Sequence, residues 1–482
     1  MKGKICSLIS VLFLTGCSDF LEERSQDEVR PSMVNDLEQI LLGDGYQESN
    51  FYYATEIFTD NVESVGAQSA AEKSQHDREK WLYMWRDNMF DEDGGGYDAR
   101  FWEAPYSSIL GCNLVLDYLD DMKGDDDMRE SIRGEALTLR AWYYLHLVNF
   151  FGIAYNQGNP EVDLGVPLKL DATVTGDFFA RNTVKEVYEQ IEKDLLEGNR
   201  LLSTYAYKRN FFRIDHLAAK AILSRMYLYM ENWDKALAYA DSVLMVKPDL
   251  FDLNSISLSR PNSSTASVYS TETPDEIIWG REYDRGFEVP GASLPPFSIS
   301  SDLGGLYVKG EWANLVGRTV EDLRALYFYW KIDIMGNRAW KRIGITKGKG
   351  DLGGFQGIRT AELYLNRAEA YAQKFIIEGN DAYREAALAD LNTLRKNRFN
   401  KEFYKEIDVV DKEELLDYCL TERRRELCGE TNHRWCDLRR YGKTVKHVLV
   451  ESELQEFEQD MSLFALPIPE DVLKQNPNLK QN

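Results

Sequence analysis

The sequence predicts a fold dominated by α-helix, a tetratricopeptide-like stack of helix pairs with irregular loops and short strands inserted. Three observations predict it. Long segments without internal Gly or Pro carry apolar residues at helical spacing. Leu223, Ser224, Tyr227, Trp233, Ala236, Ala240, Val243 and Pro248 keep the register of a roughly 34-residue helix-pair repeat. Two stretches break the periodicity: 60–105, with the Asp91–Gly96 turn and many aromatics, and 249–358, with Ser-, Pro- and Gly-rich pieces.

Taken in chain order, residues 1–16 read as an export signal: Lys2 and Lys4 precede a short apolar run that ends in Leu14-Thr15-Gly16-Cys17. The ending resembles a bacterial lipobox, which makes Cys17 the lipidation site and 17–30 an acidic, water-exposed tether. A larger N-terminal region, 31–248, follows. Glu135 to Phe150 reads as helix, stopped by Gly152. Thr183 with Glu186 forms a capping box that opens a helix from Val184 to Leu196. Asp215 to Met230 and Asp234 to Val246 make the pair with the repeat register, and small residues at 224, 236 and 240 let its two helices approach closely. One pair cannot bury its face alone, so 135–150 with 184–202 and 361–375 with 383–398 are expected to stack with it. The insertion 249–358 carries short strand-like runs at Glu276–Trp279 and Arg342–Ile345. The last region, 359–482, places Leu365, Ala368, Ala372 and Phe375 on one helix face and continues through Tyr383–Arg398 and Lys412–Cys428.

Composition excludes several functions. A formal charge of −23 leaves no basic face for nucleic acid. No apolar run is long enough for a membrane-spanning helix. Four cysteines remain after Cys6 and Cys17, too few in so large a chain for a disulfide framework; Cys428 and Cys436 stand near enough in sequence to pair, but free buried thiols are the ordinary state. Cys419, Cys428, His433 and Cys436 match no zinc-finger spacing. H-E-x-x-H and G-x-S-x-G are absent. Gly348–Gly353 fits G-x-G-x-x-G but opens no helix, and Gly442-Lys-Thr lacks the first glycine of a P-loop. The turn at Asp91–Gly95 is an incomplete calcium loop, because Gly95 stands where the third ligand belongs. His146 and His216 fall among apolar residues and read as packing histidines. The alternating Glu and Arg of 421–440 read as ion pairs within and between helices. No catalytic, metal or cofactor motif emerges.

A family resemblance rests on Arg133–Gly152, Ala218–Met230, Arg359–Tyr371, Glu422–Gly442, and Leu466-Pro-Ile-Pro469 with Asn476-Pro477. Their order and spacing resemble the signatures of the SusD/RagB family of Bacteroidetes over nearly the whole mature chain. One departure stands at Thr431-Asn-His-Arg434, where an acidic residue and Gly leading to Arg are commoner. The resemblance implies a right-handed stack of tetratricopeptide-like pairs capped by the irregular segments. It implies a non-enzymatic outer-membrane lipoprotein facing the cell exterior. Such a protein gathers oligosaccharide, or less often peptide, for a SusC-like TonB-dependent barrel. No cofactor belongs to that pattern, and its ligand contacts vary too much to transfer by position.

Site candidates therefore come from chemistry. A sugar offers an apolar C–H face to flat aromatics and a rim of hydroxyls to polar forks. Aromatics outside the helix periodicity are Trp81, Tyr83 and Trp85, which alternate as on one face of a strand, then Tyr97, Trp279, Tyr283, Phe287 and Trp312. Arg78, Asp60 and Asn61 are the nearby polar candidates, while Trp102 reads as core. The alternatives are a hydrolase acting on the same polymer and a helical scaffold that binds only protein.

Overall fold

The computed structural model describes residues 31–46, 53–67, 69–90, 100–205, 207, 210–256, 267–270, 272–282, 296–308, 320–327, 329–334, 337–345, 347 and 355–482. Helices dominate. The first seven are α1 (Val34–Ile40), α2 (Ala70–Tyr83), α3 (Arg100–Tyr118), α4 (Asp126–Phe151), α5 (Val184–Thr204), α6 (His216–Tyr229) and α7 (Trp233–Leu244). Two short ones, α8 (Ser301–Gly305) and α9 (Arg324–Tyr327), lie in the irregular region. The C-terminal part adds α10 (Thr360–Glu378), α11 (Asp381–Lys396), α12 (Lys412–Leu427), α13 (His433–Arg440) and α14 (Glu470–Gln475).

The pairs α4–α5, α6–α7 and α10–α11 stack in that order, with α5 against α6, α7 against α10, and α12 on the far side of α10. The Thr183–Glu186 capping box forms as the sequence requires, and Asp215 caps α6. In the α6–α7 pair, Ser224 Oγ donates to the Ala236 carbonyl at 3.0 Å, so the small residues do allow contact at backbone distance. Helices α4 and α5 meet closer still. A Cβ on Gly198 would stand 2.3 Å from Thr138 Oγ1 and 3.0 Å from the Gly134 carbonyl. Arginine–carboxylate forks then pin neighbouring helices: Arg140 to Asp194 (2.8 and 2.9 Å), Arg225 to Glu362 (both 2.6 Å), and Arg367 to Asp390 (2.8 and 2.6 Å).

Among the described residues the strands are short and antiparallel, in four two-stranded sheets. They are β1 (Val62–Ser64), β2 (Ile277–Glu282), β3 (Phe297–Ile299), β4 (Tyr329–Ile334), β5 (Asn337–Ile345), β6 (Phe355–Arg359), β7 (Lys446–Val450) and β8 (Leu454–Glu458). Strand β1 pairs with β3, β2 with β6, β4 with β5 and β7 with β8. The irregular reading of 60–105 is corrected: α2 and the start of α3 fall inside it. Ser69 and Glu72 close a capping box at the start of α2, and Glu, Lys, Gln and Arg sustain the helix without an apolar stripe.

The alternating charges of 421–440 become buried ion pairs. Arg423 Nε donates to both carboxylate oxygens of Asp437 (3.1 and 3.0 Å), and Arg440 reaches Glu369. A larger buried cluster joins the irregular region to α12. Its cations are Arg324, Lys347, Arg359, Arg395 and Arg398; its anions are Glu276, Asp322, Glu422, Glu426 and Glu430. Arg425 joins from its half-buried edge through Glu422 at 3.1 Å. Residues 466–482 clasp the end of α4 and the loop before α5. The Leu466 amide donates to the Phe150 carbonyl (2.7 Å), Asn476 and Asn478 hold the Phe179 and Phe178 carbonyls, and Arg181 donates to the Lys480 carbonyl (3.0 Å).

Cys112, Cys419, Cys428 and Cys436 are free and buried. Cys428 Sγ lies 3.2 Å from the Tyr307 hydroxyl instead of bonding Cys436. Burial pushes the thiols of Cys112 and Cys436 up to about 12 and about 11, which keeps them protonated.

Candidate functional site

Helix α2 is the floor of an open cleft of about 690 Å³. Lys73, His76, Asp77 and Lys80 come from α2, Val65–Ala67 from the segment that follows β1, and Val450–Ser452 from the end of β7 and its turn into β8. The cleft is polar. Lys80 Nζ donates to Asp77 Oδ1 at 3.2 Å and to Glu451 Oε1 at 3.3 Å, tying the helix to the hairpin. The ring of His76 stacks flat on Phe297 of β3, at 5.6 Å and 5°. Burial lowers the His76 imidazole below its ordinary value, although Glu451 pulls the other way. Burial nudges Asp77 up, but Lys80 outweighs it and holds the carboxyl below the usual range.

The sequence candidates divide into three groups. Arg78 is exposed on α2, and Trp81, one turn further on, is half-buried against the core. These two share the helix with the cleft residues. Tyr83 and Trp85 do not present a shared aromatic face to solvent. Tyr83 ends α2 at 1 % exposure, and Trp85, at 3 %, follows the helix with a φ of +49°. The strand alternation fails because the capped helix runs through Trp81 and Tyr83. The rings of Tyr83 and Trp85 sandwich His447 of β7 instead, at 3.8 and 4.3 Å. His447 Nδ1 and Nε2 face the carbonyls of Tyr83 (2.7 Å) and Thr59 (2.9 Å), and a neutral ring can donate to only one of them. The Trp85 indole N–H donates to the Phe58 carbonyl at 3.2 Å.

Asp60 and Asn61 sit beneath this stack as structural anchors. Arg434 forks onto Asp60 at 2.7 and 2.6 Å, and Arg424 donates to Asn61 Oδ1 at 2.8 Å. Trp279 is fully buried in β2, edge-on to Trp142 at 5.2 Å, with its N–H on the Phe212 carbonyl. Trp102 packs edge-on against Phe151 in the core. Tyr97, Tyr283, Phe287, Trp312 and the Asp91–Gly95 turn lie outside the described residues. His76, Asp77, Lys80 and Glu451 were not singled out by sequence; the Ser69–Glu72 box was the available sign that this stretch is a helix with a polar face.

Chemically, the cleft mixes ammonium donors with carboxylate acceptors, which suits a ligand rich in hydroxyls. Asp77, held below its usual range, is poorly matched to acid catalysis, which needs a carboxyl held above it. Among the described residues such carboxyls lie elsewhere. Burial raises Asp390 to about 6, but it is held by Arg367 between α10 and α11, and Glu56 is raised by burial on a bond from Asn61.

Comparison with known proteins agrees with this architecture. Residues 19–228 match a SusD-like family model described as starch-binding, associating with the outer membrane, and residues 341–482 match the SusD family model. SusD-like protein P2 of Formosa agariphila is 23% identical over 100% of this chain and 99% of its own length. SusD-like protein P38 of the same organism is 23% identical over 98% and 97%. A putative sugar binding protein from Bacteroides vulgatus superposes with a TM-score of 0.70 at 23% identity, covering 94% of this chain and 99% of that one. A laminarin binding SusD-like protein superposes at 0.59 and 19% identity, covering 93% and 96%. No helix among the described residues is long and apolar enough to cross a membrane. A helix-pair stack with loop and short-strand insertions, the five sequence signatures in order, and family models matching both parts of the chain place this protein in the SusD/RagB family of carbohydrate-binding proteins.

Proposed function

We propose that this chain is a surface-exposed outer-membrane lipoprotein, anchored through Cys17, that captures oligosaccharide without cleaving it and passes it to a SusC-like TonB-dependent barrel. One observation supports this reading above the others: in a chain of this family, α2 lines an open polar cleft and carries Arg78 and Trp81 beside it. Trp81 supplies a flat apolar face, and Lys73, Asp77, Lys80 and Glu451 supply the hydrogen bonds a sugar rim takes. Tyr97, Tyr283, Phe287 and Trp312 are proposed ligand contacts on their chemistry alone, while Tyr83 and Trp85 brace the end of α2 from within through His447. Each contact is modest, so affinity is expected to be micromolar or weaker.

Affinity gel electrophoresis with a glycan panel that includes laminarin tests the binding. Retardation by at least one polysaccharide, reduced in Trp81→Ala and Trp312→Ala, is the expected result. Retardation by none of a broad panel of glycans and peptides contradicts the reading. New reducing ends during incubation would favour the hydrolase. Pull-down from native membranes is expected to recover a large barrel protein.

A further inference from the structure

We infer that His76, Asp77 and Glu451 form a site for a zinc-class divalent cation, which bridges α2 to the β7–β8 turn when the Lys80 ammonium moves aside. The three side chains each offer a ligand atom, and these atoms lie within 4.8 Å of one another. His76 Nδ1 stands 3.7 Å from Glu451 Oε1 and 3.9 Å from Asp77 Oδ1, too far for hydrogen bonds. Metal–ligand bonds of about 2.0–2.2 Å set tetrahedral ligand atoms roughly 3.3–3.5 Å apart, so the two edges that meet at His76 need to contract by only a few tenths of an ångström.

A second observation is independent of the carboxylates. His76 is 4 % exposed, its Nε2 is buried with no hydrogen-bond partner, and its ring is fixed by the flat stack on Phe297, with Nδ1 towards the two carboxylates. A buried imidazole whose Nε2 has no hydrogen-bond partner and whose Nδ1 is turned to two carboxylates has coordinating capacity to spare. The two oxygens facing it already attract a cation, because Lys80 Nζ bridges the same Asp77 Oδ1 and Glu451 Oε1. That ammonium is a competitor on a flexible stem at the edge of the cleft. The cleft provides the entry path and leaves a fourth position for water or a ligand hydroxyl. One imidazole with two carboxylates selects zinc over calcium or magnesium, which prefer oxygen alone.

The test is titration of the full chain with zinc chloride by calorimetry, with calcium chloride in parallel and cobalt(II) absorption as the spectroscopic readout. One zinc per chain is expected, with tetrahedral-type cobalt bands. His76→Gln should weaken zinc at least ~10-fold and abolish the cobalt bands. Lys80→Met removes the competitor and should tighten zinc several-fold, whereas Lys474→Met, on a distant exposed lysine, should change nothing. Lys80 is near the surface, so this arm stands even where His76→Gln folds poorly. Absence of saturable zinc binding, calcium binding as tight as zinc, or an affinity unmoved by Lys80→Met would overturn the inference. None of these readouts depends on a glycan, so failure here is separable from failure of the proposed function.

Discussion

Replacing Glu426 with Gln is expected to bring the protein close to unfolding, although the change removes no volume. Glu426 is fully buried and accepts from Arg359 Nη1 at 2.5 Å, Arg324 Nη1 at 2.9 Å, and Arg398 Nε at 3.0 and 3.1 Å. Burial alone would raise its pKa, but the guanidiniums of Arg398, Arg359 and Arg324 outweigh it and hold the carboxyl well below the ordinary range. The amide keeps the shape, loses the charge, and turns a donor towards guanidinium donors. The cluster then keeps all its cations, Arg425 at its edge included, against four anions. Breaking a buried pair from one side costs about 3–5 kcal/mol, a large part of a total stability of about 5–15 kcal/mol. Urea unfolding followed by far-ultraviolet circular dichroism and tryptophan fluorescence measures it. Glu470→Gln, on an exposed pair with Lys474, should cost under about 1 kcal/mol. The double variant with Arg398→Gln should cost less than the two single changes added together. A Glu426→Gln variant within about 1 kcal/mol of the parent would refute the claim that this cluster depends on charge balance.

Three further outcomes are expected. Gly198→Ala should destabilise by about 1–3 kcal/mol in thermal unfolding, despite the better helix former, because its methyl meets Thr138 Oγ1 and the Gly134 carbonyl. Acid should unfold the protein early. Burial lowers His146, His433 and His447, the last to about 4, so the native state withholds protons that the unfolded chain binds below about pH 6.5. Stability therefore falls as pH drops from about 6.5 through 4, and His447→Gln should flatten that fall by up to about 3 kcal/mol in urea midpoints taken across the range. Trp81→Ala should weaken glycan retention by roughly 2- to 10-fold, as loss of one stacking face predicts, without shifting the melting temperature as far as Trp279→Ala does.

Sequence reading succeeded where local chemistry decides the outcome. The Thr183–Glu186 box and the Ser224–Ala236 contact follow from spacing alone, and the helices they begin or join are present. It failed at α2, where AAEKSQHDREKWLY has no apolar stripe to betray a helix, and Trp81-x-Tyr83-x-Trp85 imitates a strand. Aromatic density found core as readily as surface: Trp279 and Trp85 are inside, because burial is decided by elements distant in the chain. For the same reason no spacing rule reveals Glu451, which reaches His76 and Lys80 only when the β7–β8 hairpin lies against α2.

The clasp of residues 466–482 on the end of α4 bears on how the molecule is made. The partners of Phe150, Phe178 and Phe179 are translated hundreds of residues later, and Trp435 adds another late bond, from its indole N–H to the Asn149 carbonyl at 3.2 Å. Maturation is consequently a whole-chain event, since a ribosome-bound or clipped precursor lacks the strap that closes its earliest helices. Such a precursor stays pliable, the state in which a polypeptide can still be threaded through a translocation pore or seized by quality-control proteases.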